Sequence, residues 1–254
     1  MTTGLAHTDA PAASALPLFY RKPLVLHSEA HASWRLKDGD MAFAARTPYV
    51  PIVLGEIGEA SRSYPVVFAG DALLPVVILG LSEGENLFIE ERAWAREHYV
   101  PAYVRRYPFG FVSIPESDRF ALALDTASER VVREGAEGMP LFEEGGPSHL
   151  TRQALQFCEA YQAEFVSTKS FVASLREHDL LIDKRADATL ADGRRYALDG
   201  FQVVDPDRFR DLDEATVVDW HRNGWLSLVN LHLASLGRLS ALMERQVRRV
   251  AQGG

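Results

Sequence analysis

Apolar positions fall into two regimes along this chain. In the first half they come as short runs rich in β-branched and aromatic residues, each closed by Gly, Pro or charged residues. Leu24-Val25-Leu26, Trp34-Arg35-Leu36, Val66-Val67-Phe68, Val76-Val77-Ile78-Leu79, Leu87-Phe88-Ile89, Phe109 to Ile114 and Phe120 to Leu124 read as strands. Such side chains suit a pleated, half-buried surface. Gly70-Asp71 is expected to turn the chain between two buried neighbours, and Asp125 stands as a cap after the last run. Pro51 to Ala60 reads as a short helix opened by proline.

From Leu150 the period changes. Ala154, Cys158, Tyr161, Phe165, Val172 and Leu175 recur at steps of three and four, with one step of seven across Thr168. That is the seam of a long amphipathic helix. Ala188-Thr189-Leu190 and Arg194 to Leu198 flank Asp192-Gly193, a type I′ hairpin signal, and Phe201 to Val204 extends the second strand. Asp205-Pro206 has the order of an N-cap followed by a first-turn proline. A helix from Glu214 should stop at Asn223-Gly224. A last helix carries Leu226, Val229, Leu233, Leu236 and Met243 on one face.

The pattern predicts an α+β fold, with a β-rich N-terminal half holding short helices and a mainly helical C-terminal half holding one β-hairpin. Residues 1–15, rich in Ala, Thr and Ser, are expected to form a disordered tail. Residues 16–135 would be the β-rich region and 149–250 the helical region, packed together as one globular unit. The Gly- and Glu-rich stretch 133–148 lies between them.

Composition narrows the function more than the fold. Of 254 residues, 47% are hydrophobic and 24% charged, the balance of an ordinary soluble protein. A net charge of −8 argues against nucleic-acid binding, which needs a basic surface to neutralise phosphates. Contiguous apolar runs such as Leu73 to Leu79 fall short of the roughly 20 residues that cross a bilayer, so no membrane span is expected and a multi-span permease is set aside. Met1 to Ala15 has neither a basic start nor an apolar segment. A cytoplasmic protein is expected, with signal-independent export left open. The single cysteine, Cys158, lies on the helical seam and reads as a small core hydrophobe.

The segment Tyr99-Val100-Pro101-Ala102-Tyr103-Val104-Arg105-Arg106-Tyr107-Pro108-Phe109 concentrates the chemistry. Pro101 is placed to open a helix and Pro108 to stop it about two turns later. Both guanidinium groups then fall in its last turn, among three tyrosines. Adjacent helical residues point about 100° apart, so one arginine is expected to face inward, where Glu90, Glu91 or Glu97 could pair with it. The competing reading is an anion- or sugar-binding site built from Tyr99, Tyr103, Arg105, Arg106, Tyr107, Glu90 and Trp94, with Tyr103 and Tyr107 stacking on a sugar face. His27, Glu29 and His31 alternate by two and would share one strand face, a weak nomination for iron or zinc. Gly80-Leu81-Ser82-Glu83-Gly84 has glycines four apart around a serine but lacks the strand-to-helix context of a nucleophile elbow and reads as a turn leading to Asn86. No Gly-x-Gly-x-x-Gly loop or Walker motif occurs, and no cofactor is expected.

Several spaced elements resemble the SapC family of bacterial proteins: Tyr64-Pro65-Val66-Val67-Phe68, Leu79-Gly80-Leu81, Glu85-Asn86-Leu87-Phe88, Trp94, the Tyr-Val-Pro-Ala and Arg-Arg-Tyr-Pro-Phe pair, Pro140-Leu141-Phe142, and Gly224-Trp225-Leu226 through Leu236. The resemblance runs from about residue 18 to 245. It implies association with bacterial surface layers or with flavin-dependent halogenase-like proteins, and carries no catalytic residue set. The leading expectation is therefore a non-enzymatic accessory or binding protein whose partner is a halogenase-like protein, a peptide or a glycan. A metal-dependent or acid–base enzyme and a surface-layer component are the alternatives. For the stripe from Leu226 to Met243 an internal core contact is the simpler expectation and self-association the alternative.

Overall fold

The computed structural model describes residues 2–4, 16–114, 119–189 and 193–253. Its helices are α1 (Ile57–Ser63), α2 (Ala102–Arg105), α3 (His149–Glu177), α4 (Pro206–Arg210), α5 (Glu214–Arg222), α6 (Trp225–Ser235) and α7 (Arg238–Gly253). The fold is α+β, with most strands in the first half and most helices in the second.

A central sheet joins the halves. Tyr49–Pro51, Leu74–Ile78 and Val66–Ala69 lie antiparallel in that order, and Ala69 and Phe68 pair with Phe201 and Gln202 of the strand Arg195–Val204. The other edge of Arg195–Val204 carries its hairpin partner Leu181–Thr189, with a register shift between Lys184 and Ala186. Gly193 has φ +85°, the left-handed conformation that a type I′ turn asks of glycine; Asp192 lies outside the described residues. Of the expected N-terminal tail, Thr2–Gly4 forms a short strand parallel to Ala197–Asp199, and the remainder lies outside the described residues. Phe68, Val77 and Leu79 from the first half pack in one core with Phe171, Val204 and Trp220 from the second.

The front also holds two three-stranded sheets. Phe120–Asp125 runs between Pro23–Val25 and Phe109–Ser113, and Arg35–Leu36 pairs with Val131–Val132 and Met139–Pro140. The 133–148 stretch is thus partly strand, ending at Ser148, which caps α3 by accepting from Thr151 N–H.

Local signals read as written at several ends. Asp205 caps α4 with Pro206 in its first turn, and α5 stops at Asn223 with Gly224 at φ +75°. Others need correcting. Pro51 ends a strand and opens no helix; a 3-10 turn over Leu54–Glu56 leads into α1. Leu87 and Phe88 are buried loop residues, and only Ile89–Glu90 forms a strand, against Ala93–Trp94. The last helix is two, broken at Leu236–Gly237, and its buried face is Val229, His232, Ser235, Leu242 and Gln246. The stretch Trp225–Ala251 is long and apolar enough to cross a membrane by length and composition, with a mean hydropathy of 1.2 over an 18-residue window within it. Counting contiguous apolar residues passes over it, because polar residues are interspersed.

Candidate functional site

The short helix α2 is held at its start by a buried acid. Pro101 precedes the helix with an extended ψ of 144°, one position earlier than expected, so the first helical N–H belongs to Ala102. That N–H donates to Glu56 Oε1 at 2.6 Å, and the Tyr99 hydroxyl donates to the same oxygen at 2.9 Å. Val53 N–H donates to Oε2 at 2.9 Å. Burial, and then the Glu56 charge, push the Tyr99 hydroxyl up to about 12. Glu56 thereby fixes the segment on which both arginines ride. The helix stops at Arg105, and the Tyr107–Pro108 peptide is cis.

The two arginines diverge, as adjacent helical residues must. Arg105 is exposed. Its Nε donates to Val100 O and its Nη2 to the Tyr99 hydroxyl, both at 3.0 Å, and its guanidinium carbon lies 5.2 Å from the Phe157 ring centroid. Arg106 turns inward into a cage of tyrosines, its guanidinium carbon 4.1 Å from the Tyr103 centroid, 4.5 Å from Tyr161 and 5.7 Å from Tyr20. Its Nε is buried and finds no acceptor among the described residues. Among the described residues, the side chains that act most on its charge are Tyr20, Tyr161, Tyr103 and Cys158.

Both arginines nevertheless border one cavity of about 210 Å3, between the end of α2 and the first turns of α3. A third guanidinium, Arg130, closes it. Arg130 donates from Nε to Lys37 O at 3.2 Å and from Nη1 to Tyr107 O at 3.1 Å. Gly39 makes room for it: a Cβ there would lie 2.6 Å from the Arg130 stem. The remaining wall is mainly apolar, formed by Leu36, Phe109, Leu150, Ala154 and Phe157, with Gln153 at the rim and Cys158 at the back. Burial pushes the Cys158 thiol up to about 11 against the opposing pull of Arg106, so it is protonated at neutral pH. Burial likewise raises Tyr20, Tyr103 and Tyr161. The site is a cationic pocket with aromatic backing.

The nominated residues are only partly brought together. Arg105, Arg106 and Tyr107 border the cavity, Tyr103 cages Arg106, and Tyr99 steadies Arg105. Tyr103 donates to Leu18 O at 3.1 Å, and Tyr107 donates to buried Asp125 at 2.9 Å while stacking on Phe43. Both tyrosine rings are buried in contacts and offer no open face to a sugar. Trp94 and Glu90 lie elsewhere. Trp94 donates to the Tyr64 hydroxyl at 2.8 Å, and Tyr64 in turn donates to Tyr99 O. Glu90 pairs with Arg245 at 3.0 Å, so neither it nor Glu91 nor Glu97 forms an ion pair with Arg105 or Arg106 as expected. His27, Glu29 and His31 do not share a strand face: they span a turn in which His31 Nδ1 accepts from His27 N–H at 2.9 Å. Among the described residues, no group of three or more His, Cys, Asp or Glu is placed to hold a metal.

Sequence reasoning missed Tyr20, Glu56, Tyr161 and Arg130 as parts of this site. Glu56 carries a legible signal, a lone acid inside the apolar run from Ile52 to Ile57. Tyr161 stood on the α3 seam as core. Arg130 stands in a polar loop and has no local signature.

No curated protein and no solved structure matches the chain. The SapC family model matches residues 26–242, a span that contains the cage and the cavity except Tyr20, and on that match the chain belongs to the SapC family.

Proposed function

We propose that this SapC-family protein is a non-enzymatic accessory or binding protein that holds an anionic group of its ligand in the cavity bounded by Arg105, Arg106 and Arg130. One observation carries the reading: the Arg106 guanidinium sits in a tyrosine cage with an unpartnered buried Nε, and among the described residues no carboxylate forms an ion pair with it. Desolvating a guanidinium costs several kcal/mol. Ring faces return about 0.5–2 kcal/mol each but accept no hydrogen bond in the guanidinium plane. A ligand anion supplies both the missing charge and the missing acceptor. Gly39, the Tyr107 carbonyl and the Glu56–Tyr99 pair all serve to place the three cations. A halogenase-like partner remains what the family resemblance suggests; the cavity geometry favours a small anionic group.

The experiment is Arg106→Met, read by urea denaturation and by thermal shift with acetate, benzoate and inorganic phosphate. With a ligand-binding arginine, the ligand-free variant stays within about 2 kcal/mol of the parent, because an apolar side chain removes an unpaired buried charge, and anion-induced stabilisation disappears. A loss well beyond that, with no anion effect in the parent, would make Arg106 a brace.

A further inference from the structure

Resting on the reading of this cavity as an anion site, we infer that its ligand is a small carboxylic acid with an apolar body about the size of one ring. The first argument is an inventory of donors. Arg105 has committed Nε and Nη2 to Val100 and Tyr99, and Arg130 has committed Nε and Nη1 to Lys37 and Tyr107. Each of those two keeps one terminal nitrogen. Arg106 keeps its buried Nε without an acceptor among the described residues, while the Tyr20 and Tyr103 hydroxyls hydrogen-bond its guanidinium from the cage side. A guanidinium fork matches the two oxygens of a carboxylate in a bidentate pair. The Tyr103 and Tyr161 rings, at 4.1 and 4.5 Å, hold the fork in position before any ligand arrives, which lowers the ordering cost of binding.

The second argument is the rest of the wall. Beyond the cations it presents Leu36, Phe109, Leu150, Ala154 and Phe157, and Gln153 is its one uncharged amide. The Tyr107 hydroxyl is already given to Asp125. A sugar or nucleoside would bury hydroxyls with no partner, each a penalty, whereas a hydrocarbon body gains by leaving water. The third argument is size. About 210 Å3 lies below the roughly 300–1,000 Å3 of pockets for drug-sized ligands, so the body is small.

The test is isothermal titration calorimetry on the full chain at fixed ionic strength, with benzoate, acetate, inorganic phosphate and benzyl alcohol as probes. Benzoate is expected to bind at least tenfold tighter than acetate or phosphate, and benzyl alcohol not at all. Arg106→Met should abolish benzoate binding. Gln153→Glu places a carboxylate at the exposed rim; it should weaken benzoate about tenfold through like-charge repulsion while the thermal midpoint stays unchanged. If phosphate or acetate binds as tightly as benzoate and both depend on Arg106, the anion site stands and the apolar acid is overturned. If none of the anions binds, both fall. Benzoate binding that ignores both substitutions lies elsewhere and overturns the assignment.

Discussion

His232 and Arg106 show how a single side chain is decided by what surrounds it. On α6, His232 Nε2 accepts from Val204 N–H at 3.1 Å, and Nδ1 therefore carries the proton toward Val66 O at 2.9 Å. Burial lowers its pKa from 6.5 to about 4, with the Val66 carbonyl opposing. The unfolded chain takes up a proton as the pH falls through 6.5, while the folded protein resists until about 4. The contribution of this group is complete above 6.5 and is lost between 6.5 and 4, on the order of 3 kcal/mol in total. Urea midpoints measured from pH 7 to 4 should fall more steeply for the parent than for His232→Gln; equal slopes would remove the histidine as the cause. The apolar neighbours Leu231 and Leu233 make the burial of His232 legible in the chain itself. The direction of Arg106 is not legible there, because two adjacent arginines look alike in sequence and only packing against α3 tells them apart.

At the scale of elements, α3 shows a pattern almost complete in itself. The one missing step of its seam is filled by Thr168, fully buried, whose hydroxyl donates to Glu164 O at 2.7 Å and accepts from Leu54 N–H at 2.8 Å. The helix thus ties down the turn that presents Glu56. Thr168→Val keeps the shape and removes the acceptor, leaving a buried N–H unpaired, and should cost about 1–3 kcal/mol in urea denaturation. A neutral result would mean that the Leu54 N–H finds another partner. Caps at Asp205 and Gly224 were readable because they act within a few residues. Pro51 misled because proline also suits the end of an edge strand, as it does beside Val76.

For the whole molecule, the central sheet is the decisive object. Val66–Ala69 pairs with Leu74–Ile78 on one side and with Phe201 and Gln202 on the other, and Ser235 of α6 accepts from Val66 N–H at 3.0 Å. Neither half closes its own core. A fragment of residues 1–148 lacks the strand, helix α3 and the helices that cover Phe68 and Val77. It should fail to give a cooperative thermal transition by circular dichroism; a sharp transition would show that the front half folds alone. The candidate site depends on the same assembly, since α2 and Arg130 come from the front and Phe157, Cys158 and Tyr161 from α3.

The order of residues by itself determined the fold class, the long helix and the hairpin, because periodicity, capping and turn chemistry act over a few neighbours. Only the tertiary structure decided that Glu56 anchors the segment 99–109, that Arg130 joins it from a distant loop, and that Glu90 and Trp94 serve another part of the molecule. Ion pairs, cages and cavities form between positions a hundred residues apart, and no local pattern records which buried charge will be left without its partner.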